Sequence, residues 1–187
     1  VARRPTRQAI LDAAITVAAR RGITGASMDE VAEEAQVAKG SLYYNFDSKD
    51  ALFSEVLRTG FTRLVDTVSA ARTGLTGRAA LRSVAVATMT LLQTNPELAK
   101  LMAAELFRTD RTWGDALAPI RSDVAVHFRD VLREVRAEQG ADPATVTGIS
   151  GAALLGALAV ASLDWLLFHP DLDVQVAVDE VLVTVGA

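Results

Sequence analysis

The chain has 187 residues, half of them apolar, with 19 Lys/Arg against 23 Asp/Glu and no cysteine. Lack of cysteine removes disulfides, thiolate metal sites and thiol redox sensing, and a net charge of −4 argues against a non-specific coat for polyanions. The length suffices for a small domain and a larger one with a well-buried core.

The first predicted helix runs from Thr6 to Gly22, with Ile10, Ala13, Ala14, Val17 and Ala18 as its buried stripe and Arg20-Arg21-Gly22 as a basic end with a glycine cap. The basic, then amphipathic N-terminus, with Asp12 early, fits a secretory signal poorly, so the cytoplasm is the expected compartment. A second helix starts at Ser27, which can form a capping box with Glu30, and turns Val31, Ala32 and Ala35 inward. After a break at Gln36-Val37, a third short helix repeats the inward face with Leu42 and Phe46. Lys39, Ser41, Tyr43, Tyr44 and Asn45 are left on its other faces. A cation, a hydroxyl, two phenols and an amide hydrogen-bond phosphate oxygens or base edges without being repelled by the nucleic-acid backbone. Two short helices about a tight turn with such a polar face are what a DNA-reading helix-turn-helix requires.

Ser48 caps a long helix reaching about Arg72, in which Leu52, Phe53, Val56, Leu57, Phe61, Leu64, Val65 and Val68 keep a helical period. Its first half closes the DNA-binding unit and its second half enters the next domain. Residues 73–77 break the pattern, and an apolar helix follows to about Thr94. Asn95-Pro96-Glu97 restarts a helix predicted to end near Thr109. A stripe of Leu117, Ile120, Val124, Phe128, Val131 and Val135 predicts a helix over 115–139, and Asp142-Pro143 predicts the start of another that ends before His169-Pro170. Within it, Gly148 to Phe168 carries one charge, Asp164, over a length sufficient to cross a bilayer. It has no Lys/Arg flank and its small residues suit close helix packing, so a soluble bundle is expected and no membrane. Val174, Ala177, Val178, Val181, Leu182 and Val185 predict a last helix, although its Val-x-Val-x-Val opening also reads as a strand.

Residues 6 to about 58 resemble the DNA-binding domain of the tetracycline-repressor (TetR) family of bacterial transcriptional regulators. The resemblance is most specific over Lys39-Gly40-Ser41-Leu42-Tyr43-Tyr44-Asn45-Phe46-Asp47-Ser48-Lys49. Two positions depart from the family: Gln36 where glycine is usual in the turn, and Asn45 where histidine is common. The resemblance implies an all-α protein, with a helix-turn-helix domain over 1–52 and a ligand-binding and dimerisation domain over 53–187. It also implies a repressor of double-stranded operator DNA, a homodimer through the last two helices, and a small-molecule effector. Ser27, Lys39, Gly40, Ser41, Tyr43, Tyr44, Asn45 and Lys49 are the expected DNA-site residues. Lys49 stands at a helix start where backbone amides also suit phosphate. Residues 1–60 hold eight Lys/Arg against eight Asp/Glu, so the deficit of four falls on residues 61–187, with 11 against 15. Placement of Arg3, Arg4, Arg7, Lys39 and Lys49 therefore matters more for DNA than total charge.

The effector pocket is expected among Phe61, Met89, Met102, Glu105, Leu106, Phe107, Trp113, Phe128 and Trp165, with Arg108, His127 and Asp164 as further polar candidates. Ordinary core packing explains many of the same residues. Asp164 has to be exposed, paired with an arginine or turned to a cavity, because an unpaired buried carboxylate is very costly. No metal, cofactor or enzymatic activity is expected. The two histidines, His127 and His169, lack metal spacing, Gly148-Ile149-Ser150-Gly151-Ala152 lacks the last glycine of a nucleophile elbow, and no phosphate-binding glycine pattern occurs. The competing reading is a helical ligand-carrier or protein-interaction module that does not bind DNA.

Overall fold

The computed structural model describes residues 6–106, 114–184 and 186, and among these every regular element is helical. In chain order they are α1 (Thr6–Gly25), α2 (Met28–Glu34), α3 (Lys39–Asn45), α4 (Lys49–Ala71), α5 (Gly77–Thr94), α6 (Pro96–Leu106), α7 (Gly114–Glu138), α8 (Gly148–Phe168) and α9 (Val174–Thr184). The expected all-α class is what the chain adopts, and the final segment is helix rather than strand. Two compact units result, Val1–Gly60 with Lys100–Ala118 and Phe61–Ala99 with Pro119–Ala187. The first boundary falls inside α4, whose Leu52, Phe53, Val56 and Leu57 are buried before it and whose Phe61, Leu64 and Val68 are buried after it.

In the first unit α2 packs on both α1 and α3. Ile10, Ala14, Val31 and Leu42 are completely buried, so packing against neighbours supplies the stability that the short α2 and α3 lack alone. The capping box forms as the sequence predicts. Glu30 N donates to Ser27 Oγ at 3.2 Å, and Ser27 N donates to Glu30 Oε2 at 3.0 Å. Gly22 breaks α1 with φ 69 and ψ 162, but the chain does not end its helix there; one further helical turn carries it to Gly25. The α2–α3 turn is closed by Val37 N donating to Ala32 O and Gln36 N donating to Glu33 O, both at 3.0 Å. This bond pair is a Schellman motif and needs a left-handed residue between the helix and its exit. Gln36 is that residue, with φ 55, at a cost of about 1 kcal/mol relative to a right-handed position.

The second unit is built on α5, which packs on α8 and α9, with α8 also on α9. Ala80, Val84, Ala85 and Met89 of α5, Leu158 of α8 and Val178 of α9 are completely buried. Asp142-Pro143 does not begin α8. Asp142 caps only a 3-10 turn, Pro143–Thr145, after which Val146 is buried and α8 starts afresh at Thr147, with its own capping box to Ser150. A Cβ built on Gly151 would lie 2.2 Å from Ala125 O and 2.8 Å from Arg129 N. The backbones of α7 and α8 therefore meet at this position, with room for hydrogen only.

The start of α5 is held from a distance. Thr76 makes no side-chain cap; Gly77 N donates to Glu134 Oε2 at 3.0 Å and Arg78 N donates to Glu138 Oε2 at 2.9 Å. Glu134 also pairs with Arg72 at 2.5 Å. These carboxylates satisfy amides that the helix leaves open and complement its positive end. Across the unit, Arg82 of α5 pairs with Asp179 of α9, and Trp165 Nε1 donates to Leu172 O at 2.9 Å over the α8–α9 turn.

Candidate nucleic-acid interface

Short α3 is fixed from below and bare above. Leu42 and Phe46 are 0% and 4% exposed, whereas Tyr43 and Tyr44 are 48% and 89% exposed. A large phenol left almost wholly in water on a helix anchored by its opposite face is available to a partner. Lys39, first in α3, sends Nζ to Asp29 Oδ2 at 2.5 Å, and both side chains remain mainly in solvent. A Cβ on Gly40 would meet no atom within 4 Å, so the outer surface of the first turn is open backbone. Ser41 is half-buried, and its carbonyl accepts from Asn45 Nδ2 at 2.8 Å. That bond engages one of the two Nδ2 hydrogens and leaves the other, together with Oδ1, as the groups it presents.

Lys49 begins α4 and donates to Thr24 O at 2.8 Å, which ties it to the last turn of α1. Ser48 caps the same helix by accepting from Ala51 N at 3.1 Å. Ser27 is exposed, but its hydroxyl is engaged with Glu30 in the capping box, accepting from N and donating to Oε2 at 2.9 Å.

Sequence reasoning missed a polar cluster beside this face. The Arg7 guanidinium lies 5.1 Å from the centroid of the Phe46 ring and pairs with Glu55 at 2.8 Å. Glu55 accepts two further bonds at 2.7 Å from Arg58. In the sequence only the i, i+3 spacing of Glu55 and Arg58 is legible; Arg7 is 48 residues from Glu55. The hydrogen bonds from Arg58, opposed by burial and reinforced by Arg7, bring the Glu55 carboxyl from 4.5 down to about 2. A depressed folded-state pKa gives stability that is fully present above the unfolded value and is lost as pH falls through the folded one. Glu55→Gln should thus cost up to about 3 kcal/mol at neutral pH, and the gap to wild type should close between pH 4.5 and about 2. Urea denaturation at pH 7, 4 and 2.5 measures this; a gap independent of pH would show that the ionised carboxylate is not its source.

The expected effector residues are distributed differently. Met89 and Trp165 line one groove of about 400 Å³, together with Asp164, His169, Leu172 and Glu180. Phe61 and Phe128 are buried in the core of the same unit, while Met102 is buried in the stretch assigned to the other unit. The side chains of Glu105 and Leu106, and Phe107, Arg108 and Trp113 entirely, lie outside the described residues. Asp164 is exposed in the single chain and also lines the groove, with its carboxylate 3.7 Å from His169 Nε2. Among the described residues no group of three metal-ligating side chains comes together. The α8 segment Gly148–Phe168 is long and apolar enough to cross a membrane by length and composition, yet Leu154, Leu155, Leu158, Ser162 and Trp165 are buried within the unit.

Residues 10–56 match the family model described as bacterial regulatory proteins, tetR family. The chain is 36% identical over 69 residues to the HTH-type transcriptional repressor DhaR of Mycobacterium sp. (strain GP1), covering 37% of this chain and 35% of DhaR. It is 41% identical over 51 residues to the HTH-type transcriptional regulator AcrR of Shigella flexneri, covering 27% of this chain and 24% of AcrR. The matches thus span about a third or less of these curated relatives. Among solved structures, a proposed fatty acid metabolism regulator from Clostridium perfringens aligns with TM-score 0.79 and 27% identity, over 95% of this chain and 96% of that one. The transcriptional regulator FadR of Bacillus subtilis, in complex with stearoyl-CoA, aligns with TM-score 0.80 and 18% identity over 95% and 96% of the two chains.

Proposed function

The chain belongs to the tetracycline-repressor (TetR) family of bacterial regulators, and from that premise we propose that it represses transcription by binding operator DNA as a homodimer and leaves the operator when a small, mainly apolar effector binds. The carrying observation is the two-sided α3, buried through Leu42 and Phe46 and exposed through Lys39, Gly40, Tyr43 and Tyr44. A carrier or protein-interaction module has no need of that arrangement beside a lysine at the start of the next helix. Lys39 and Asn45 serve as base readers; Lys49 and Tyr43 position the domain on phosphates, with Ser27, Ser41 and Tyr44 at the same surface. The protein acts in the cytoplasm, as a regulator and not as an enzyme.

Dimerisation accounts for an otherwise unexplained surface. Val160, Leu167 and Phe168 of α8 and Val176 and Val183 of α9 are exposed apolar residues, a pattern that marks an interaction face. A second copy laid on α8 and α9 covers it in a four-helix contact. Paired α3 helices then enter successive major grooves about 34 to 36 Å apart. The effector binds in the domain of residues 53–187, at the groove lined by Met89 and Trp165, and acts through α4, which runs unbroken from Lys49 to Ala71. Long acyl chains are the first effectors to try, given the ligand named for the B. subtilis neighbour.

The test is a gel shift with duplex from the chain's own upstream region against a scrambled duplex, repeated with acyl-CoA. Specific retardation is expected, weakened about 5- to 150-fold by a true effector, and calorimetry should find the effector weakened by operator to the same degree. No preference for the upstream duplex would overturn the reading as a specific regulator.

A further inference from the structure

Lys39 is the one expected base reader that already holds a charged partner. Its ammonium sits 2.5 Å from the Asp29 carboxylate, one residue from the first turn of α2 and the other at the start of α3. The turn between them is pinned by the bonds about Gln36, so the pair is built into the helix-turn-helix and does not depend on a flexible loop. Both side chains are more than half exposed, Lys39 at 66% and Asp29 at 58%, leaving the pair open to DNA. Resting on the reading of the chain as a DNA-binding regulator, we propose that Asp29 is a specificity-determining residue, which converts Lys39 from a general phosphate binder into a reader of guanine.

Donor geometry and charge both lead there. An ammonium has three donors; Asp29 takes one and leaves two, the number of acceptors that the O6 and N7 edge of guanine presents in the major groove. Guanine is uncharged, so Lys39 can bind it without giving up Asp29. A phosphate, by contrast, has to compete with the carboxylate for the cation while being repelled by it, and the paired lysine offers little net charge to a polyanion. Asp29 therefore lowers the affinity of Lys39 for every duplex through the backbone while sparing the contact with the correct base.

The experiment compares wild type, Asp29→Asn, Lys39→Gln and the double variant of the full chain, on the upstream duplex and a scrambled duplex, over a range of salt. Asp29→Asn should bind the scrambled duplex about 3- to 10-fold more tightly, with a log–log salt slope steeper by about 0.9, the increment for one added phosphate contact. The ratio of specific to scrambled affinity should fall. In the Lys39→Gln background the same replacement should change neither quantity. Asp29→Ser, equally uncharged, repeats the test independently of the amide, and unchanged thermal melting separates the effect from folding. Equal gains with and without Lys39 would overturn the inference, since Asp29 would then act only as a bare charge. So would unchanged scrambled affinity and slope in both Asp29 variants while wild type still selects its operator. Wild type that binds no duplex would instead overturn the regulator reading and this inference together.

Discussion

Gly151→Ala should lower the unfolding free energy by about 3 kcal/mol, the upper part of the usual cost of overpacking. The added methyl would lie 2.2 Å from Ala125 O and 2.8 Å from Arg129 N, and both are backbone atoms that cannot swing aside as a side chain would. Relief requires α8 to move away from α7, which loosens the packing of Leu154 and Leu158 in the same helix. Intrinsic helix propensity pulls the other way by about 1 kcal/mol, so the replacement would stabilise if the helices did not touch there. Gly156, five residues on in α8, has nothing within 4 Å of an added Cβ, and Gly156→Ala should show that smaller gain. Urea denaturation followed by circular dichroism reads both variants; a stable Gly151→Ala would mean that α7 and α8 lie farther apart.

Gly40→Ala should separate folding from DNA binding, since its two effects have opposite signs. In the free protein a Cβ at position 40 meets nothing, and alanine removes the entropy cost of glycine in a short helix, so stability should rise by about 0.5 to 1 kcal/mol. The same methyl lies on the exposed first turn of α3, between Lys39 and Ser41, where the proposed DNA-binding mode brings backbone up to the duplex. Loss of that approach should weaken operator binding about tenfold or more, equivalent to about 1.4 kcal/mol. Denaturation and gel shift on one preparation decide the matter. A more stable variant with full operator affinity would place this turn away from the duplex.

What was legible in the sequence was local. Ser27 with Glu30, the inward pair Leu42 and Phe46, the cap at Ser48 and the unusual Gln36 all act within four residues of themselves, and each holds in the structure. Local rules also misled: Asp142-Pro143 has the chemistry of a helix start, yet burial of Val146 turns the chain and restarts the helix at Thr147. Gly22 breaks α1 without ending it, because a break in φ and ψ does not prevent a further turn. Contacts over long sequence separations left no trace in the pattern. Nothing marks Arg7 as the partner of Glu55 and Phe46, or Asp29 as the partner of Lys39, until the helices are packed. The engaged amide of Asn45 was equally hidden, since its bond is to backbone.

The distant capping of α5 bears on the order in which the protein takes shape as it is made. Glu134 and Glu138 follow the amides they satisfy by 57 and 60 residues. A ribosome adding about 5 to 20 residues per second needs about 3 to 12 seconds to cover that interval. During it α5 has been synthesised, but the groups that secure its first turn have not, and Thr76 supplies no substitute. By contrast, α2 and α4 carry their caps within a few residues, at Ser27 with Glu30 and at Ser48, and can settle as they emerge. The second unit has to wait for α7, so a nascent chain passes through a state with α2 and α4 capped and the start of α5 still fraying.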